Sequence, residues 1–388
     1  MQKISADEFI SWALRTFLEN NLSFAMWRLP DTNIIHLAAS EQVHLWSNVN
    51  LEAPPPGFLF SPFDPSQAKL FLPADEFFTI ESGQLTSAKG NFVEEILSRR
   101  EKDSKTDRHA KGYYSRSTSQ HTSGNESSFK KLVNLCREEI VQGKFEKLVP
   151  SRSKSAALPA EFDLLTTFQS LCQLHPHAMV SVFSSPQTGT WVGATPELLV
   201  SVGKDQHFRT VAVAGTQPAT GIDLRDVTWT QKDIEEQALV ERYVISCFKK
   251  IRVREFEEHG PKTVMAGNVL HLKTDFDVDM VAINFPQLGS VMLELLHPTS
   301  AVCGMPREAS LLFLRNQEGY DREFYSGYLG PLNVREESHL FVNLRCMQLF
   351  EDKVILYAGA GVLADSDPEK EWKETQMKMD TLEQIISK

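Results

Sequence analysis

Strand-like segments in this chain come in runs, and that grouping constrains the fold more than any other feature. SFAMWRL, IIHLAAS, GFLFSPF and AKLFLPA form an early run, interrupted by Pro54-Pro55-Pro56-Gly57. AMVSVFSS, TWVGATPELLVSV and FRTVAVAGT follow one another with turns at 186–189 and 203–205, and read as an antiparallel meander. LFVNLRCMQLF and KVILYAG, each read as one strand, close the series. Strict alternation of strand and helix would call for a parallel sheet. Clusters call for an α+β fold with large, mostly antiparallel or mixed sheets.

The helices stand between these runs. Residues 5–20 place Phe9, Ile10, Ala13, Leu14 and Phe17 at helical spacing. FKKLVNLCREEIVQG turns Phe129, Leu132, Val133, Cys136, Ile140 and Val141 inward and stops at Gly143. EFDLLTTFQSLCQLHP, 231–251 and 307–318 are further helices. KLVPSRSKSAAL reads as a strand with an edge or bulge at Pro150. The aromatic run Phe58, Phe60, Phe63, Phe71, Phe77 and Phe78 is predicted to be core. From 98 to 128 the chain is polar, Ser/Thr-rich and without periodicity, predicting a flexible surface loop between an N-terminal part of the same domain (1–97) and a catalytic region (129–388).

Charge and cysteine content exclude several classes. A net charge of −11, with no basic stripe, argues against nucleic acid as partner. No run of about 18 apolar residues is present to span a membrane. The first residues, MQKISADEFISWAL, lack the pattern of a signal peptide. Five scattered cysteines without CxxC spacing predict reduced thiols in the cytoplasm and no zinc site.

The stretch LYAGAGVLADSDPEKEWKETQMKM (356–379) runs from a strand through Gly359 and Gly361 into an acidic helix. Glycine there permits backbone angles other residues avoid, and such a turn can aim N–H groups at an anion. Ser366 or Asp367 can cap the helix, with Pro368 in its first turn. Glu371, Glu374 and Lys378 share one face, at the edge of an apolar stripe of Trp372, Thr375, Met379, Leu382 and Ile386. Those carboxylates are either ordinary surface charge or the wall of a pocket.

Other residues carry the same two readings. Lys147 is a snorkelling edge charge or, if buried, a base. Glu197 in GATPE is a turn carboxylate or a desolvated general acid. Asp233 and Glu236 are a solvated helix face or cation ligands. Arg345, alternating with apolar residues, needs an anion: a substrate carboxylate, or simply Glu371 or Glu374.

Taken in order, KLVPSR, GATPE, VAVAGT, KDxxE, NVLHLKT, LHPTSAVCGMP, YDREFYSGYLGP, Arg345, YAGAG and SDPEKEWKET resemble the chorismate-utilising enzymes: isochorismate, salicylate, anthranilate and aminodeoxychorismate synthases. The resemblance covers about residues 129–388. It implies an α+β fold, a large two-sheet sandwich flanked by helices, with a deep cleft binding chorismate through Mg²⁺. It further implies Glu236 and Glu374 as metal ligands, with Glu371 and Asp233 as supports. Glu197 resembles the acid that protonates the departing C4 hydroxyl, and Lys147 the base that activates water for attack at C2. Arg345 and Tyr325 resemble the pair that holds the pyruvyl carboxylate, beside the Gly359 and Gly361 backbone. Thr216, His271 and Lys378 correspond to further pocket residues.

Lys147, together with Ala214 where aminodeoxychorismate synthases carry a nucleophilic lysine, implies water as the nucleophile and no glutamine amidotransferase subunit. The implied product is isochorismate, for menaquinone or siderophore biosynthesis. The alternatives are a salicylate synthase, which also eliminates pyruvate, and a non-catalytic chorismate-binding protein. Monomer and dimer both stay open. Gln237, Glu323 and Cys303 depart from the residues usual in the family.

Overall fold

The computed structural model describes residues 5–102, 112–116, 124–219, 224–266 and 269–386. Two nine-stranded sheets dominate it. The first runs β7 (Gln84–Lys89), β6 (Glu76–Glu81), β2 (Ile34–Ser40), β1 (Ser23–Arg28), β10 (Met179–Ser185), β11 (Gly189–Thr195), β19 (Cys346–Leu349), β20 (Lys353–Gly359) and β9 (Ser151–Ala157). The second runs β14 (Glu257–Ala266), β15 (Val269–Asp279), β13 (His207–Pro218), β12 (Leu198–Val202), β18 (Ser338–Val342), β17 (Tyr328–Leu332), β4 (Gly57–Ser61), β5 (Lys69–Pro73) and β3 (His44–Trp46). A short pair, β8 (Lys147–Leu148) with β16 (Gly304–Met305), stands apart. Neighbouring strands within each sheet are antiparallel, as the clustering of strands predicts.

The helices are α1 (Ala6–Glu19), α2 (Val93–Lys102), α3 (Glu126–Val141), α4 (Leu164–Leu174), α5 (Gln231–Lys250), α6 (Leu288–Leu296), α7 (Arg307–Gln317) and α8 (Pro368–Ile386). A Ser5–Glu8 capping box starts α1, and its Phe9, Ile10, Ala13, Leu14 and Phe17 are buried. Removing a side chain such as Phe or Leu from water contributes roughly 1.5–3 kcal/mol before entropy is charged against it. Residues of α1, α4 and α8 share one apolar cluster with the first sheet. Those of α5 and α6 share another with the second sheet. Aromatic side chains of both sheets, including Trp27, Phe58, Phe60, Phe183, Trp191 and Tyr357, meet in a third. Phe58, Phe60, Phe63, Phe71 and Phe78 are buried and Phe77 is half-buried, as predicted.

Three expectations need correction. The segment TWVGATPELLVSV is not part of a single meander: β11 lies in the first sheet and β12 in the second. Proline at 196 has no N–H to continue a ladder, and the chain crosses there. Likewise LFVNLRCMQLF is not one strand. β18 belongs to the second sheet and β19 to the first, and between them Arg345 takes a left-handed backbone angle (φ 47°) that breaks the extended chain. Since β11 pairs with β19 and β12 with β18, the two crossovers lie side by side.

The third correction concerns 98–128. Helix α2 continues through Lys102, Tyr113 is buried in the first core cluster, and α3 already begins at Glu126. The rest of that expected loop, 103–111 and 117–123, lies outside the described residues. The N-terminal strands enter both sheets, so 5–97 is interleaved with the later part of the chain.

Candidate active site

The paired crossovers build one wall of a cleft. They are stitched together by Val342 N–H donating to Glu197 O (2.9 Å), Ala194 N–H to Arg345 O (3.0 Å) and the Thr195 hydroxyl to Val342 O (2.6 Å). Both Glu197 and Arg345 line the cleft. Burial pushes the Glu197 carboxyl up to about 7, against the pull of Lys147, Lys378 and Arg345. Burial lowers Arg345 to about 10. A buried guanidinium facing a cavity calls for an anion there. Its anion is not Glu371, as one reading of the sequence had it: the guanidinium contacts His271 Nε2 at 3.2 Å, while Glu374 and Glu197 act on it through space.

His271 sits on β15. Its Nδ1–H donates to Gly215 O at 2.6 Å, which leaves Nε2 as the acceptor for Arg345. Burial and the Arg345 charge lower it to about 3, so the ring is neutral. Gly215 occurs where the register of β13 against β15 shifts, with φ 66°; glycine suits this bulge and turns its carbonyl towards the ring. Ala214, Gly215 and Thr216 all line the cleft.

The facing wall comes from α5, α8 and the turn after β20. Glu236 and Glu374 line the cleft, with Lys378 beside them. Lys378 Nζ lies 2.6 Å from Glu374 Oε1 and 2.9 Å from Gly359 O. Lys147 is fully buried behind the lining, and its Nζ is 2.8 Å from Glu236 Oε1. Burial opposes ionisation of Glu236, but Lys147, Lys232 and Lys378 outweigh it and hold the carboxyl below its ordinary value.

Glu371 stands behind this wall and not on it. It is buried, its Oε1 is 2.6 Å from Lys232 Nζ, and its Oε2 is buried without a hydrogen-bond partner. Burial, then the Glu374 charge, raise it to about 7 despite Lys232. Lys232 is the residue that reasoning from sequence missed. The KDxxE spacing places Lys232 beside Asp233 and Glu236 on α5, whereas its Nζ crosses to Glu371 on α8.

Two further expectations change. Neither Gly359 nor Gly361 takes a left-handed angle; both are glycine for space. A Cβ at Gly361 would fall inside the Glu236 carboxylate, and one at Gly359 would stand 3.3 Å from the Tyr325 hydroxyl. The N–H of Ala360 goes to Pro150 O and that of Val362 to Leu148 O, so those donors are not free to cradle an anion. Asp233 is not on the cleft wall either. Its Oδ2 accepts from Thr230 N–H and Oγ1 in the capping box that starts α5. At α8 it is the Asp367 carboxylate that accepts from Glu369 N–H, with Pro368 as the first helical residue.

Tyr325 does line the cleft, stacked on Tyr357 at 5.4 Å with an interplanar angle of 14°. Gln237 is buried and donates to Ala212 O and Thr274 Oγ1, and Cys303 is buried away from the lining. Among the described residues no three His, Cys, Asp or Glu side chains converge as a full ligand set.

A family model described as chorismate binding enzyme matches residues 78–387. The chain belongs to the chorismate-binding enzyme family. Among relatives of this family, the vibriobactin-specific isochorismate synthase of Vibrio cholerae is 29% identical over 244 residues, 61% of this chain and 60% of that one. This chain therefore spans less than two thirds of that relative's length. The isochorismate synthase EntC of Escherichia coli K12 is 27% identical over 332 residues, 83% of this chain and 78% of EntC. The solved menaquinone-specific isochorismate synthase MenF from Escherichia coli shares the fold with a TM-score of 0.72 at 20% identity, covering 94% of this chain and 88% of MenF. The chorismate-binding fold is thus the two-sheet sandwich described above.

Proposed function

We propose that this enzyme is an Mg²⁺-dependent isochorismate synthase. The observation that carries the reading is a cleft holding a carboxyl poised near neutral pH, Glu197, together with the buried Lys147–Glu236 pair. Several relatives are named isochorismate synthases, which supports the same reading.

Chorismate becomes isochorismate when water adds at C2, the ring double bond shifts and the C4–O bond breaks. Glu197 supplies the proton that lets the C4 hydroxyl leave as water. Lys147, whose Nζ lies 2.8 Å from the Glu236 carboxylate, takes the proton from the attacking water. Arg345 and the Tyr325 hydroxyl hold the pyruvyl carboxylate, and neutral His271 fixes the guanidinium.

The residues fit a hard divalent cation. Glu236 and Glu374 offer carboxylate oxygens to one cleft, and Mg²⁺ usually takes one or two protein carboxylates, keeping its other positions for water and substrate. Glu236 and Glu374 also raise the buried Glu371 by like charge, which a cation would relieve. When bound, Mg²⁺ would neutralise the ring carboxylate of the substrate.

The test is product identification from chorismate with Mg²⁺, with and without ammonia. Isochorismate in both cases is expected. No product, or product only with ammonia, sinks the reading, and pyruvate released without an added lyase replaces it by salicylate synthesis.

A further inference from the structure

Glu323 sits at φ 48°, a left-handed angle that a glycine would take freely and a glutamate adopts at a cost. It lies two residues before Tyr325. Its backbone is bound into the fold, with Phe63 N–H donating to Glu323 O at 2.8 Å. Its side chain meets Arg116, whose Nη1 is 2.6 Å from Glu323 Oε2. Arg116 comes from far away in sequence. It forms an isolated parallel bridge with Phe350, and its stem passes over Gly189, where a Cβ would stand 2.7 Å from Arg116 Cγ. The same Glu323 oxygen accepts from Gln348 Nε2 at 3.4 Å, and Gln348 Oε1 accepts from the Tyr357 hydroxyl at 3.1 Å. Tyr357 in turn stacks on Tyr325.

We infer that Arg116 and Glu323 form a clasp that positions Tyr325 for the substrate carboxylate, acting as positioning residues that never touch the ligand. The inference rests on the proposed role of Tyr325 in binding chorismate. The clasp holds an unfavourable backbone angle in place from outside the cleft, and Gln348 and Tyr357 carry the restraint to the Tyr325 ring through its stack. A glycine at 323 would hold the angle without help, so the need for Arg116 would vanish with the glutamate.

That conditional dependence is the test. In the full chain with chorismate and Mg²⁺, Arg116→Ala should raise KM about fivefold while kcat stays near wild type, because only binding through Tyr325 is loosened. Arg116→Lys should recover part of the loss. Glu323→Gly alone should raise KM less than Arg116→Ala does, and adding it to Arg116→Ala should bring KM back to the Glu323→Gly value. A read-out without substrate runs in parallel. The near-ultraviolet circular dichroism of the stacked Tyr325, Tyr357 and Trp191 rings should change in Arg116→Ala and return in the double variant. An unchanged KM and ring signal in Arg116→Ala, or changes that merely follow a fall in Tm and are not reversed by Glu323→Gly, would overturn the clasp. A wild-type chain inactive on chorismate would sink the proposed function instead, with the ring signal still deciding the clasp.

Discussion

Glu197 and Glu236 line one cleft, the first buried and the second slightly more open to it, yet they are driven in opposite directions. Glu197 belongs to the seam where strands change sheets. Its neighbours there are backbone and apolar groups, the nearest cations act from a distance, and desolvation prevails. Glu236 belongs to the helical wall, where lysines from three elements converge: Lys147 from β8, Lys232 from α5 and Lys378 from α8. Burial alone therefore does not set a carboxyl's protonation. Lys147 and Lys378 act on both, and the element that carries each carboxyl decides how closely they approach it.

The most damaging way to probe the seam is to remove its proton. Glu197→Gln keeps the shape but cannot cycle a proton, and turnover of chorismate should fall by about 10²–10⁴, the usual worth of general acid–base catalysis. Lys147→Ala on the other wall should cost a similar factor. Chorismate binding, followed by thermal shift, should survive in Glu197→Gln. If Glu197→Gln turned over normally, the acid would have to be sought elsewhere.

The contrast between the walls was only half visible in the sequence. Helical wall residues were legible because α8 is amphipathic: Met379, Leu382 and Ile386 are buried, so the face bearing Glu371 and Glu374 could be placed. Strand clustering correctly implied antiparallel sheets. The seam was not legible, because apolar residues recur right through 338–349 and give no sign that the chain leaves one sheet for another at residue 343. What interrupts the ladder is the backbone angle at Arg345, and an arginine does not advertise a left-handed φ as a glycine would. Lys232 escaped for a related reason: spacing along a helix shows neighbours on that helix, not partners across a cleft.

A second probe addresses the helical wall. Glu236→Gln leaves Lys147 fully buried without its ion-pair partner, and breaking such a pair costs about 3–5 kcal/mol. A substantial fall in Tm is expected without added metal, together with loss of any Mg²⁺-dependent stabilisation. Adding Lys147→Met to that variant should recover much of the Tm but none of the activity. Recovery of activity would remove Lys147 from the chemistry.

The opposed shifts also predict opposed pH dependences of stability. The Glu197 carboxyl is raised from 4.5 to about 7, so the folded chain keeps a proton that the unfolded chain has already released. Its contribution is complete below about 4.5 and is lost as pH rises through about 7. Glu236, held below its ordinary value, contributes above that value and loses the contribution as pH falls through its lowered one. Urea melts across this range should show a shallower decline towards neutral pH in Glu197→Gln than in wild type. An identical slope would mean that Glu197 is ionised throughout.

The smallest effect separates a wall residue from its neighbour one turn away. Asp233 precedes Glu236 on α5, but its carboxylate is engaged by Thr230 at the helix start and stays off the cleft. Asp233→Ala should cost only about 1 kcal/mol, the worth of a helix cap, and leave the Mg²⁺ dependence of turnover where it was. Metal titrations of the two variants make the comparison direct: affinity should drop in Glu236→Gln and hold in Asp233→Ala. A parallel loss in both would mean that the cation is supported from the first turn of α5, and that the division between a capping carboxylate and a cleft carboxylate, three residues apart, is drawn in the wrong place.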